Sequence, residues 1–161
     1  DRADQRLREA CRGRGLMSHL CLTWIITMAN LVGEPPPRGR AEDRAVEVCQ
    51  LIVESAEAQD VPAELAVAVA FNESRLRWHL TSPRGAAGPM QVIARHWCPD
   101  RRGRWTANGE HIVKGCDLIA AGVLALSYYL ETRSSLGAAL KSYGGTRAYA
   151  RRVLALWEAI D

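Results

Sequence analysis

A single carboxyl group, Glu73, stands where an apolar segment of the chain gives way to a polar loop. It follows residues 65–71, an unbroken apolar run, and a helix that is apolar on every side belongs in the middle of a core. Burial raises a carboxyl pKa, and the negative end of the helix dipole acts in the same direction. We therefore expect Glu73 to stay protonated near neutral pH and to act as a general acid. The alternative is a glutamate that caps the exposed helix end and pairs with Arg75 or Arg77.

Small and polar residues recur at fixed distances after this glutamate. They are Glu73-Ser74, Ser82, Gly85-Ala86, Gly88 and Met90-Gln91. The pattern resembles the signature of the soluble lytic transglycosylase family, part of the lysozyme-like superfamily, which has Glu-Ser, a Ser before Gly-Ala, and Gly-Leu-Met-Gln. The likeness continues downstream at Gly122, Tyr128-Tyr129-Leu130, Tyr143-Gly144-Gly145 and residues 149–153, and so covers roughly residues 42–160.

The chain departs from the family pattern at three places. Pro89 stands where the family has Leu, Arg77-Trp78 replaces Asn-Pro, and Gly144 replaces the Asn after the tyrosine. The last change puts in doubt whether the Tyr143 segment binds sugar as it does in the family. None of the changes touches the acid itself.

The resemblance implies an enzyme that acts on the glycan strands of peptidoglycan with one carboxyl group and with no metal ion or cofactor. Glu73 would protonate the oxygen between N-acetylmuramic acid and N-acetylglucosamine. It would then take a proton from the C6 hydroxyl of the muramic sugar, which closes a 1,6-anhydro ring.

Supporting roles follow from donors and acceptors. We expect Ser82 to orient the acid or bind the acetamido group, and Gln91 to bind a sugar hydroxyl or acetamido group. Tyr143 would stack on a sugar or donate to the acid, Met90 would pack beneath the groove, and Gly88 would serve by its lack of a side chain. The structural alternatives are a loop-stabilising hydroxyl for Ser82, a helix-start contact for Gln91 and a half-buried core residue for Tyr143.

Two other functions fit the same residues. A goose-type lysozyme-like hydrolase normally needs a second carboxylate, for which Asp100, Glu110 and Asp117 are candidates. A non-catalytic wall-binding or virion structural module would keep the fold without the chemistry.

Composition fits one soluble globular domain with an all-α fold. The chain has 161 residues, of which 48% are hydrophobic and 24% charged. Residues 41–161 carry equal numbers of basic and acidic side chains, so the catalytic region has no basic excess and no nucleic-acid partner is expected.

Apolar periodicity and capping residues predict a series of helices. They cover residues 42–58, residues 62–74 with Pro62 in the first turn, residues 90–97, a helix begun by Asp117, residues 136–143 stopped by two glycines, and a last helix capped by Thr146. A small β-ribbon is left open in the 98–116 loop, where Asn108-Gly109 is a turn signal.

The first forty residues form a separate N-terminal arm, and residues 41–161 form the catalytic domain. The arm joins a basic flank, an apolar stretch at residues 16–32 and the prolines 35–37. This order resembles an export signal or membrane anchor, and it predicts membrane association and a place in the cell envelope or periplasm. A phage virion is the alternative location. The alternatives to a signal or anchor are a packed helix with one apolar stripe, Leu16, Leu20, Trp24, Met28 and Leu31, and a disordered arm.

Cys98 and Cys116 bracket the polar loop, and three states are open to them. A disulfide would close the loop, the thiols could be free, or zinc could bind them with His96 and His111. Cys49 lies on an apolar stripe and is expected in the core.

Overall fold

The structure, a computed structural model, describes residues 2–78, 80–98, 112–113 and 116–161. This part of the chain forms seven helices and two short antiparallel ribbons, which confirms the predicted helical fold class. The helices are α1 (Arg2–Leu31), α2 (Arg40–Ala58), α3 (Ala63–Ser74), α4 (Ala94–Trp97), α5 (Leu118–Thr132), α6 (Leu136–Gly144) and α7 (Arg147–Ile160). The strands are β1 (Ala86–Ala87), β2 (Val92–Ile93), β3 (Ile112–Val113) and β4 (Cys116–Asp117).

Helix α3 lies at the centre of the core. Every residue from 65 to 71 is buried, as expected for a helix that is apolar on all sides. Helices α2 and α7 pack on it, and α5 and α6 complete the layer around them. The helix ends at Arg75, whose φ of 57° is left-handed and turns the chain away directly after Glu73 and Ser74.

The predicted helix ends are confirmed where polar caps define them. The Asp117 carboxylate accepts from the Ile119 and Ala120 amides at 3.0 Å each and starts α5. Thr146 Oγ1 accepts from the Tyr149 amide at 3.0 Å and starts α7. Gly145, with a φ of 93°, terminates α6 in the left-handed conformation.

The predicted helix over residues 90–97 is wrong. Gln91 has a φ of 51°, which no α-helix accommodates, and it begins the return strand of a ribbon. In that ribbon Ala86 pairs with Ile93 and Ala87 with Val92, so only residues 94–97 are helical. The second ribbon, β3 with β4, lies in the loop where a ribbon was left open. The turn signal Asn108-Gly109 lies outside the described residues.

Helix α1 packs against α2, α3 and α7. Its buried face is centred on Trp24, Ile25 and Met28, whereas Leu16 is 74% exposed and Leu31 is 53% exposed, so the predicted stripe is rotated from the real one. The reason is a disulfide between Cys21 and Cys49, which fixes this face of α1 against α2. Among the described residues no helix combines the length and the apolarity needed to cross a bilayer. The division of the chain at residue 40 stays a prediction.

A second disulfide joins Cys98, at the end of α4, to Cys116 in β4. The disulfide alternative for this pair is therefore confirmed, and the two sulfurs cannot serve as zinc thiolates. Of the two histidines in that zinc set, His111 lies outside the described residues. The bridge sits in a small second core under the ribbons, with Ala87, Val92 and Leu118.

Candidate active site

Glu73 lines a surface cavity of about 740 Å³ at the C-terminal end of α3. The described residues that line it belong to three segments: the end of α1, residues 34–37 with the start of α2, and the end of α3 with the turn after it. The lining includes Ile25, Ala29, Glu34, Pro35, Pro37, Ala41, Arg44, Ala45, Phe71, Ser74, Arg75, Leu76, Arg77, Trp78 and Leu80. A cavity of this size can enclose a ligand of several rings.

The surroundings of Glu73 favour its protonated form. Burial raises the pKa of the Glu73 carboxyl above its usual range, while the Tyr149 hydroxyl and the charge of Arg152 lower it to a smaller extent. The predicted direction of this pKa shift is confirmed. The alternative of an ion pair with Arg75 is wrong, because Arg75 binds Glu34 instead, with Nε 2.9 Å from Oε2. Arg77 directs its Nε to the Ser74 carbonyl oxygen at 2.8 Å.

Ser74 ties the loop of residues 82–91 to α3. Its hydroxyl oxygen lies 2.6 Å from the carbonyl oxygen of Pro89 and 3.2 Å from that of Ala70, and it accepts from the Arg77 amide at 3.2 Å. Because its side chain is buried, these contacts hold the loop at a fixed distance from the acid. Ser74 therefore has a structural role.

Ser82 and Gln91 both bond to the loop. Ser82 Oγ accepts from the Ala86 amide at 3.1 Å, which is the loop-stabilising alternative, and no hydrogen bond to Glu73 is formed. Gln91 Nε2 donates to the carbonyl oxygens of Leu80 at 2.7 Å and Gly88 at 2.9 Å. Both donor hydrogens of the Gln91 amide are thus used inside the protein, and only its carbonyl oxygen is left for a sugar.

Met90 and Gly88 form the side of the loop that packs against α5. Met90 is fully buried, and a Cβ on Gly122 of α5 would lie 2.5 Å from the Met90 Cβ, so α5 can approach only through a glycine. Gly88 has a φ of 77°, and a Cβ there would meet Leu118 Cδ1 at 2.8 Å. The packing role of Met90 and the need for a bare backbone at Gly88 agree with the expectation.

Two tyrosines stand behind the acid. Tyr143 donates its hydroxyl hydrogen to the Met90 carbonyl oxygen at 2.6 Å, and not to Glu73 as one interpretation held. The ring of Tyr149 stacks on that of Tyr143, with centroids 6.4 Å apart and planes 22° from parallel. The buried Tyr149 hydroxyl makes no hydrogen bond of ordinary geometry to any described residue. It nevertheless lowers the pKa of Glu73, and the charge of Glu73 in turn adds to burial in raising the pKa of both tyrosines.

Gly144 makes room for this arrangement. A Cβ at residue 144 would lie 2.0 Å from Cγ and Cδ1 of Tyr149, inside the ring's own volume. The asparagine of the family pattern cannot occupy this position while the Tyr149 ring stays where it is. The replacement of the family's Asn by Gly144 is therefore explained by the space that the Tyr149 ring occupies.

Sequence reasoning missed Tyr149 and Arg152 as neighbours of the acid. The apolar spacing of α7 indicates that Tyr149 is buried, but it gives no sign that its hydroxyl lowers the pKa of Glu73. Asp117, one of the candidate second acids, is committed to the cap of α5. The other two, Asp100 and Glu110, lie outside the described residues.

Comparison with models of protein families identifies the family of the chain. The family model for the transglycosylase SLT domain matches residues 50–156. The chain belongs to this family. Its members are lysozyme-like domains that act on peptidoglycan, so the family sets the substrate class as the cell-wall glycan. No curated protein and no solved structure matched the chain.

Proposed function

We propose that the protein is a peptidoglycan lytic transglycosylase in which Glu73 acts first as acid and then as base. The observation that carries the proposal is a partly buried carboxyl group with a raised pKa, lining a cavity in a chain of this family. In the first step Glu73 gives its proton to the glycosidic oxygen, and the bond from that oxygen to C1 of N-acetylmuramic acid breaks.

The second step needs no water. The charged Glu73 takes the proton of the muramic C6 hydroxyl, whose oxygen bonds to C1 and closes the 1,6-anhydro ring. The proton count of the enzyme is restored. The substrate's acetamido carbonyl stabilises the positive charge that develops at C1 between the two steps. Tyr149 and Arg152, which both favour the ionised carboxyl, support the intermediate state in which Glu73 is charged.

The competing hydrolysis requires a second carboxylate to activate water. Glu34 is the other carboxylate that lines the cavity among the described residues. Both of its oxygens accept from Arg75, at 2.9 and 3.0 Å, and the pKa of Glu34 is lowered by this pairing. A carboxylate held in this way is a weak base, which favours the one-acid reaction over a goose-type hydrolase.

The two disulfides favour a site of action outside the cytoplasm, because such bonds persist in oxidising compartments. We place the enzyme in the cell envelope on this ground.

Purified protein and isolated sacculi test the proposal. Wild-type protein should release muramic products lighter by one water than hydrolysis products, as seen by mass spectrometry. Glu73→Gln should reduce the rate of product release by at least about a hundredfold. Glu64→Gln, in the first turn of the same helix, should leave that rate unchanged. Undiminished release by Glu73→Gln would overturn the general-acid role, and release of reducing ends would establish the hydrolase.

A further inference from the structure

Three arginines line the cavity beside Glu73 in the described part of the chain: Arg44, Arg75 and Arg77. Arg44 comes from α2, outside residues 50–156 that the family model matches. Arg77 stands where the family pattern has Asn. Two of the three cationic groups are therefore features of this chain and not of the family pattern.

Glu34 shows how the arginine wall of the cavity, formed by Arg44, Arg75 and Arg77, can hold a carboxylate. The Arg75 guanidinium donates to it through Nε and Nη2, at 2.9 and 3.0 Å, in the two-bond geometry typical of arginine and carboxylate. The remaining nitrogen, Nη1, donates to the carbonyl oxygens of Phe71 and Asn72 at the end of α3. All three nitrogens of the Arg75 guanidinium thus donate within the protein, and its bonds to Glu34 fix the proline spacer over the cavity.

Arg77 differs from Arg75 in having donors to spare. Its Nε binds the Ser74 carbonyl oxygen at 2.8 Å, which holds the base of the guanidinium in place. Within the described part of the chain its two terminal amino groups make no hydrogen bond or ion pair, and the side chain is exposed. A guanidinium fixed at one edge and open at the other is suited to an anion that arrives from solvent.

The charge of this wall is kept apart from the catalytic acid. Arg75 and Arg77 both lower the pKa of Glu34, whereas the cation that acts on Glu73 is Arg152. The cations of this wall are therefore not the one that lowers the pKa of Glu73, and Arg77 is open to a charged group of the substrate.

We propose that Arg77, backed by Arg44 and Arg75, binds the carboxylates of the peptide stem carried by muramic acid. The inference rests on the proposed function, since it assumes that the glycan lies along the cavity of Glu73. Peptidoglycan strands carry little charge on their sugar rings, and their anionic groups are concentrated in the peptides. A cationic wall would thus make the enzyme select strands that still bear their stems.

Binding of soluble muropeptides to the full chain tests this inference without turnover. The probes are a disaccharide with a tripeptide stem, the same fragment with its stem carboxyl groups converted to amides, and the stem-free disaccharide with its lactyl carboxylate. The wild-type protein should bind the first about tenfold more tightly than the other two, a ratio typical of one charge-assisted contact. Arg77→Gln should remove this preference, and Arg151→Gln, which removes an exposed charge outside the cavity lining, should keep it.

The proposal would be overturned by equal affinity of the wild-type protein for the three probes, or by an unchanged preference in Arg77→Gln. Tight binding of the lactyl fragment alone would also do so, because it would assign the wall to the sugar acid. These outcomes are separate from the failure of the proposed function, which would show as the absence of anhydro products from sacculi whatever the binding preference. Thermal melting of both variants establishes that the fold is intact.

Discussion

Gly144→Ala provides a sharp test of how the acid is supported. The added Cβ would lie 2.0 Å from two ring carbons of Tyr149 and 2.3 Å from a third, whereas ordinary contacts begin near 3.4 Å. The ring must therefore retreat by about 1.4 Å. It is only 5% exposed and stacked on Tyr143, so this movement forces α6 and α7 apart.

The expected cost is worked out against a matched control. Overpacking of this kind destabilises a protein by about 1–3 kcal/mol. Gly137 lies on the same helix, and a Cβ added there would meet nothing within 4 Å. Gly137→Ala should therefore stabilise by about 0.5–1 kcal/mol through helix propensity alone. Since both changes gain similar propensity, the difference between them isolates the contact with Tyr149.

Urea unfolding and turnover on sacculi measure the two consequences. Gly144→Ala should unfold at lower urea than the wild-type protein, and Gly137→Ala at slightly higher urea. Turnover should fall in Gly144→Ala by about a hundredfold or less, because a displacement near 1 Å at a catalytic group has effects of that size. If Gly144→Ala is as stable and as active as Gly137→Ala, the Tyr149 ring does not lie against Gly144 and its support of Glu73 is refuted.

Three more predictions concern charge and cross-links. Glu73→Gln should gain melting temperature over the wild-type protein as the pH rises above 4.5, the usual glutamate value, and should gain less below it. Because the pKa of Glu73 is raised, its stabilising contribution is present at low pH and is lost as the partly buried carboxyl ionises, so an unchanged difference across pH would contradict the burial. Tyr149→Phe removes a group that lowers the pKa of Glu73, so the pH at which kcat/KM declines on the alkaline side should move upward; a downward move would refute the assigned interaction. Replacing Cys21 and Cys49 together by Ala should lower the free energy of unfolding by about 3.5 kcal/mol, from the sequence separation of 28 residues, and a loss below about 1 kcal/mol in urea titration would mean that α1 is held without the bridge.

Local chemistry explains which parts of the fold could be predicted. Some helix ends depend on a single side chain or a single backbone conformation, so the sequence alone indicates them. They are the caps at Asp117 and Thr146 and the stop at Gly145. The buried helix α3 was indicated by its apolar run together with the helix-start residues before it, including Pro62. Glu73 followed from its position at the end of that helix.

The remaining features depend on contacts between distant segments. The ribbon at β1 and β2 forms because Gln91 adopts a left-handed conformation, and its amide secures that turn through bonds to Leu80 and Gly88. No periodic pattern announces a two-residue strand. The pairing of Cys21 with Cys49 could not be deduced from cysteine positions, and it lies on the buried face of α1.

The sequence indicated which residues lie near the acid, but not which groups their side chains contact. Ser82, Gln91 and Tyr143 lie in the loop and helix that adjoin the acid, but each is hydrogen-bonded to backbone within the protein. The interaction with Glu73 belongs to Tyr149, six residues after Tyr143 on the next helix. Binding of sugar by the first three residues stays a prediction.

The fate of solvent oxygen tests the central claim most directly, because a single acid–base group should cleave the glycan without consuming water. Sacculi would be digested by wild-type protein in water enriched in heavy oxygen, and the newly formed muramic ends analysed by mass spectrometry. We predict ends in the anhydro form that carry no heavy oxygen. Incorporation of one solvent oxygen at C1 would show that water is the nucleophile and would contradict the role given to Glu73 as the base that activates the C6 hydroxyl.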